Sequence, residues 1–187
     1  MPTPTRTSPR CESDAPPQTP GARRWSEVLR DPQFNDLPYK IETNARGQLV
    51  LSPQKHDHSF SQYRIGRLIE EQMKKHEDHT GRVGVEFALH TTDGVKVPDV
   101  IWISEECARQ IPDDAEASLV APEICVEVLS ESNTEAEMNE KRRLFFEAGA
   151  AEVWLVERSG SVRFFDADGE RERSSLAPEF PERVEAK

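Results

Sequence analysis

Two carboxylates and a lysine occupy positions where the surrounding pattern calls for apolar side chains. In the 97–103 segment (Val-Pro-Asp-Val-Ile-Trp-Ile) both alternating faces are apolar apart from Asp99. In the 123–129 segment (Glu-Ile-Cys-Val-Glu-Val-Leu) Glu127 lies inside an apolar run in the same way. Farther on, Met138, Lys141, Phe145 and Ala148 recur at spacings of three, four and three, a single helical face that Lys141 interrupts. Burying a lone carboxylate or ammonium costs several kcal/mol unless it is paired or bound to a metal. Groups of this kind on separate elements therefore need one another, or a shared ion. The pattern leaves several arrangements open: a buried ion pair of Lys141 with Asp99 or Glu127, a lysine whose stem lies on the core while its head reaches water, or a constellation that holds a cation and does chemistry.

The elements that must position these groups can be read from periodicity. The two acid-bearing segments read as central strands covered on both faces. The lysine-bearing helix spans 134–148, opened by a Thr134…Glu137 capping box and closed by Gly149. Upstream, 25–30 reads as a short amphipathic helix. Strands at 39–43 and 48–51 flank the turn Asn44-Ala45-Arg46-Gly47. Ile65, Leu68, Ile69 and Met73 give a long helix over 57–76. The 82–90 segment alternates, with Val83, Val85, Phe87 and Leu89 on one face of a single strand. Strands at 153–156 and 162–165 close the series around Ser159-Gly160. The order α-β-β-α-β-β-β-α-β-β, without internal repeat, predicts an α/β (α+β) domain with a mixed central sheet flanked by helices.

A chain of 187 residues is long enough for one domain with a real core, although 35 % apolar content is low for a chain packed throughout. Positions 1–24 hold six of the 14 prolines and are expected to be a disordered head. A folded domain over 25–170 and a flexible tail over 171–187 follow. The head lacks the apolar stretch of a secretory signal, Glu12 and Asp14 argue against a transit peptide, and no run approaches the roughly 18 apolar residues of a membrane span. A cytoplasmic protein without membrane contact is expected. Cys11, Cys107 and Cys125 are too scattered for a zinc site and too few for a disulfide framework. The net charge is −11, but the head contributes +2 and the tail is neutral, so 25–170 carries −13. Such a body opposes avid, unassisted binding to a polyanion.

Pro98-Asp99, then Glu127-Val128-Leu129-Ser130, then Lys141 with Phe145-Phe146-Glu147-Ala148-Gly149, and finally Glu152-Val153-Trp154-Leu155-Val156 resemble the Uma-two family of restriction endonucleases. That family lies within the PD-(D/E)XK nuclease superfamily. Tyr39-Lys40-Ile41-Glu42, Leu51-Ser52-Pro53 and His58 fit its opening hairpin and first long helix, so the resemblance spans 25–168. It implies a restriction-endonuclease-like fold and metal-assisted hydrolysis of DNA phosphodiester bonds. Asp99 and Glu127 would hold Mg²⁺ (or Mn²⁺), with the Val128 carbonyl as a further ligand. Lys141 would orient or deprotonate a water, or neutralise the pentacoordinate phosphate. In the superfamily's usual motif the lysine follows the glutamate by two residues, where this chain has Leu129; the resemblance implies a lysine supplied instead by the following helix. Glu42 and His58 would be accessory residues, with a surface role for Glu42 and a capping or solvated role for His58 as alternatives. Arg142 and Arg143 are candidate phosphate contacts, and a homodimer fits an enzyme that cuts both strands.

Other functions remain open beside that one. The −13 charge of the 25–170 body and Leu129 favour a catalytically inactive nuclease-fold binding or regulatory module. A structural, self-associating domain would close the three groups into an ion pair without a cavity. His56 and His58 flank Asp57 on the long helix, but i,i+2 residues do not share a helical face. Arg64, Arg67, Lys74 and Lys75 are interspersed with acids, as on a solvated face, and Glu105, Glu106, Asp113, Asp114 and Glu116 read as an acidic loop. No phosphate loop, nucleophile elbow or dinucleotide fingerprint is present.

Overall fold

A computed structural model describes residues 19–34, 37–53, 56–75 and 79–184. Helix α1 (Pro20–Arg30) is capped by Thr19, whose hydroxyl accepts from Ala22 N at 3.1 Å. Part of the expected 1–24 head lies outside the described residues, but its end is helical. Pro20 opens α1 because the first helical position needs no donor and suits proline's fixed φ. Strands β1 (Tyr39–Thr43) and β2 (Leu49–Pro53) form an antiparallel hairpin with Ile41 opposite Leu51. Helix α2 (His56–Met73) follows, then β3 (Gly81–Val85), β4 (Leu89–Thr91), β5 (Gly94–Lys96) and β6 (Val100–Ser104). A short α3 (Glu105–Ala108) precedes β7 (Ile124–Val128), α4 (Glu135–Ala148), β8 (Glu152–Val156), β9 (Val162–Asp166) and β10 (Gly169–Arg171).

The central sheet has six strands in the order β10-β9-β8-β7-β6-β3. Its one parallel pair, β7 and β8, is joined through α4, since parallel neighbours need a crossover. The mixed sheet flanked by helices is thus present. Ile65, Ile69 and Met73 of α2 pack on one face, against Val100, Trp102, Ile124, Val126 and Trp154. Phe145 of α4 packs on the other, with Ile101, Ile103, Cys125 and Val153. The alternation read from the two acid-bearing segments is therefore real, and it puts Glu127 on the α4 face. The capping box at Thr134 and the left-handed Gly149 (φ 113°) bound α4 as expected.

Several elements depart from the pattern. The 82–90 segment is two strands, because Glu86 (φ 50°) turns the chain into the left-handed region between β3 and β4. Leu89–Thr91 then pairs with β5 instead of extending the sheet. Asp99 lies just before β6 rather than within it. The acidic loop contains α3: Ser104 accepts from Cys107 N, and Glu105 and Glu106 suit a helix's positive end. The described part of the expected flexible tail, 171–184, is packed, with Ala177, Phe180 and Val184 buried in the α2-side core. What holds it is Glu152, a buried carboxylate that accepts from Ser175 N (2.7 Å), Ser175 Oγ (2.6 Å) and Leu176 N (3.0 Å). A tail poor in apolar residues still packs when its few face the sheet and its backbone donors have a buried acceptor.

The β1 hairpin is fixed on the rest by Thr43, whose hydroxyl donates to Gly21 O at 3.1 Å and accepts from Val95 N at 2.9 Å. Gly94, at φ 84°, passes so close that a Cβ would lie 2.7 Å from Thr43 O. This contact sets where the other β1 side chains point. Among the described residues no helix is long and apolar enough to cross a membrane.

Candidate active site

The ladder between β6 and β7 ends with Val100 opposite Val126. One residue farther along each strand stand Asp99 and Glu127. Two carboxylates at the end of neighbouring strands repel, and the surrounding elements supply the compensation. Asp99 Oδ2 accepts from Val128 N at 2.7 Å and from His58 Nε2 on α2 at 3.1 Å. Asp99 Oδ1 accepts from Lys40 Nζ on β1 at 2.6 Å and from Gln62 Nε2 at 3.4 Å. Glu127 accepts from Lys40 through Oε2 at 3.4 Å and from Lys141 through Oε1 at 3.2 Å. Lys141 also donates to Glu42 Oε1 at 3.0 Å, an oxygen that accepts from Val97 N at 2.8 Å.

These charges are held away from solvent: the Asp99 side chain is 1 % exposed and that of Glu127 5 %. The two acids respond differently. Burial pushes the Asp99 carboxyl up, but the His58 hydrogen bond and the Lys40 charge outweigh it and hold Asp99 well below the ordinary carboxylate range. For Glu127 burial wins over Lys141 and Lys40, and its pKa is raised. Burial would discharge Lys40, but Glu127, Asp99 and Glu42 raise its pKa instead. Lys141 is raised too, as Glu127 and Glu42 overcome its burial. Both lysines are cations at any physiological pH, beside one firmly ionised acid and one drawn toward protonation.

A cavity of about 50 Å³ opens on this cluster. Lys40, His58, Asp99, Glu127 and Lys141 line it, together with Ser52, Ser130, Ser132 and Asn133. The predicted Asp99, Glu127 and Lys141 thus converge, and both an ion-paired arrangement and an open cavity are present. Lys141 is buried, so it does not send its head to bulk water. Leu129, at the usual lysine position, packs with Met138, Leu155 and Phe165, while α4 delivers Lys141. Glu42 is buried at 3 % exposure, which replaces the surface alternative; its place is behind Lys141, off the cavity wall. His58 lines the cavity and bonds Asp99; the side chains of His56 and Asp57 lie outside the described residues. At Val128 it is the N–H, not the carbonyl, that meets Asp99.

Arg142 and Arg143 are elsewhere. The Arg142 guanidinium stacks 3.9 Å over the Phe165 ring, and Arg143 pairs with Glu140 and Glu147 along α4. Neither lines the cavity, because on a helix Arg142 is rotated about 100° and Arg143 about 200° from Lys141. Lys40 carries no mark of a site residue in the sequence, although alternation on β1 puts it on the face of Glu42.

The donor set suits a hard cation. Asp99 and Glu127 already share one positive group, Lys40, and both present oxygen. Among the described residues no group of three or more Asp, Glu, His or Cys is placed to hold a metal ion; Asp99 and Glu127 are the two carboxylates that a hard ion such as Mg²⁺, which keeps several waters, would take from the protein.

With this geometry in hand, comparison with known proteins places the chain. The profile of the Uma2 family, described as "Putative restriction endonuclease", matches residues 31–186, and the chain belongs to that family. Among solved structures it is similar to a "putative nuclease belonging to DUF820" from Anabaena variabilis, with a TM-score of 0.62 at 18 % identity, covering 87 % of this chain and 94 % of that one. At that identity the likeness shows that the two chains share a fold. No curated protein matches the chain in sequence.

Proposed function

We propose that the chain is a divalent-cation-dependent endonuclease that hydrolyses phosphodiester bonds in DNA. The observation that carries this is the meeting of Asp99 and Glu127, from adjacent strands, around one positive charge at a cavity. Asp99 and Glu127 would hold Mg²⁺ or Mn²⁺, which when bound polarises a phosphate oxygen and lowers the pKa of water. Asp99, ionised and fixed by the Val128 N–H and His58, is the pre-set ligand. Lys141, held between Glu42 and Glu127, stabilises negative charge developing on the phosphate. Ser130, Ser132 and Asn133 offer polar groups along the cavity for the rest of the nucleotide.

The test is incubation of purified protein with supercoiled, linear and single-stranded DNA in Mg²⁺ or Mn²⁺, beside EDTA controls and Asp99→Ala. Cleavage that disappears with EDTA and in the variant is expected. A second reading, a non-cutting binding or regulatory module, is favoured by the −13 charge of the 25–170 body and by the lysine between the two acids. Clean protein that binds a partner but leaves every DNA form intact in both metals would select it.

A further inference from the structure

Lys40 occupies a site built for a cation. Its Nζ faces Asp99 Oδ1 at 2.6 Å, Val97 O at 3.0 Å and Glu127 Oε2 at 3.4 Å. An ammonium has three protons to donate, so its hydrogen-bonding capacity is used in full, and its side chain is 9 % exposed. It stands between the two carboxylates that the proposed reaction assigns to the metal. A divalent ion shared by the same two oxygens, Asp99 Oδ1 and Glu127 Oε2, would lie about 2.0–2.1 Å from each, in the place that the Lys40 ammonium holds.

The charges of the cluster indicate where the lysine goes. With all three carboxylates ionised and the His58 imidazole left aside, Asp99, Glu127 and Glu42 face Lys40 and Lys141, which leaves one negative charge in excess. A divalent cation and one phosphodiester restore neutrality only if Lys40 stays at the site. Its flexible four-carbon stem and the adjoining cavity, which it already lines, allow that. Resting on the proposed metal site, we propose that Lys40 is a resident counter-cation: an incoming divalent ion displaces its ammonium from between Asp99 and Glu127 into the cavity, where it faces the phosphate.

The test needs no substrate. Mn²⁺ binding is measured by calorimetry on the wild-type protein and Lys40→Met. In parallel, reductive methylation of wild-type lysines is followed by mass spectrometry with and without saturating Mn²⁺. The expected results are about tenfold or more tighter Mn²⁺ binding by Lys40→Met, equivalent to about 1.4 kcal/mol, and severalfold faster methylation of Lys40 with Mn²⁺ while Lys141 stays protected. Wild-type protein that binds Mn²⁺ with Lys40 labelling unchanged overturns the displacement and leaves the metal reading standing. A folded Lys40→Met that binds no tighter does the same. Absence of Mn²⁺ binding by the wild-type protein overturns both. Should Lys40→Met fail to fold, the labelling of the wild-type protein still decides.

Discussion

Glu42 accepts from the ammonium of Lys141 at 3.0 Å while Glu127 accepts from it at 3.2 Å, so a strand of the N-terminal hairpin helps hold a helix residue at the cavity. Because the same Oε1 also accepts from Val97 N, Glu42→Gln preserves that backbone bond and removes the charge. The variant is expected to stay folded and to cleave DNA about 10–100-fold more slowly, the usual effect of losing an orienting partner. Glu42→Ala leaves Lys141 with less compensation and is expected to lose about 3–5 kcal/mol of stability, as when a buried pair is broken. Urea unfolding and single-turnover plasmid nicking separate the two effects.

Lys141→Met keeps an unbranched apolar stem on the α4 stripe beside Met138 and Phe145. The expected outcome is a folded protein with Mn²⁺ binding retained and the cleavage step slowed by about 10²–10³, the range for removing one charge-stabilising donor. Parallel losses of Mn²⁺ binding and cleavage would show that Lys141 merely supports Glu127.

Glu127 is the residue at which stability and activity should part. Its pKa is raised in the folded state, chiefly by burial, so its ionised form is disfavoured by folding. This penalty is absent below the unfolded value of 4.5 and grows as pH rises through the folded value. Glu127→Gln removes this penalty but also the charge that does most to hold Lys40 and Lys141 protonated; measured without divalent ions, its stability relative to wild type is therefore expected to rise from pH 4.5 to pH 8. Cleavage should be abolished. Thermal melts across that range check the sign.

Asp99 has the opposite sign. Its folded pKa is depressed, so its contribution is present above the unfolded value of 3.8 and is lost as pH falls through the folded one. Wild type is expected to exceed Asp99→Asn in stability by a constant margin from pH 7 to about pH 5, and the margin should close only in stronger acid. Denaturant titrations at a series of pH values provide the comparison; a margin already closing near pH 6 would contradict it.

The sequence made Asp99, Glu127 and Lys141 legible because a charged side chain inside an apolar period is a local signal. The helix α4 was legible for a similar reason: its start and stop are written in adjacent residues. Lys40 was not, since β1 is a half-exposed hairpin strand in which a lysine is ordinary; only the tertiary placement of the hairpin, through Thr43 against Gly94, turns it inward. The break at Glu86 was hidden because a left-handed residue other than glycine leaves no compositional mark. Arg142 and Arg143 adjoin Lys141 in sequence, but helical rotation turns them toward Phe165, Glu140 and Glu147. The packing of 172–184 depends on Glu152, a charge at the start of a strand whose partners lie more than 20 residues away.

That buried carboxylate has a consequence for the order in which the protein can assemble. Trp154 and Phe164 rest against Phe180, with the Trp154 and Phe180 ring centres 4.6 Å apart. While the 174–184 segment is still inside the ribosome, the β8–β9 face that it covers has no lid, and a large aromatic surface stays wet. Folding during synthesis therefore cannot finish when the residues of the proposed site have emerged. A nascent chain arrested near 170 would carry every predicted site residue and still be a client for chaperones.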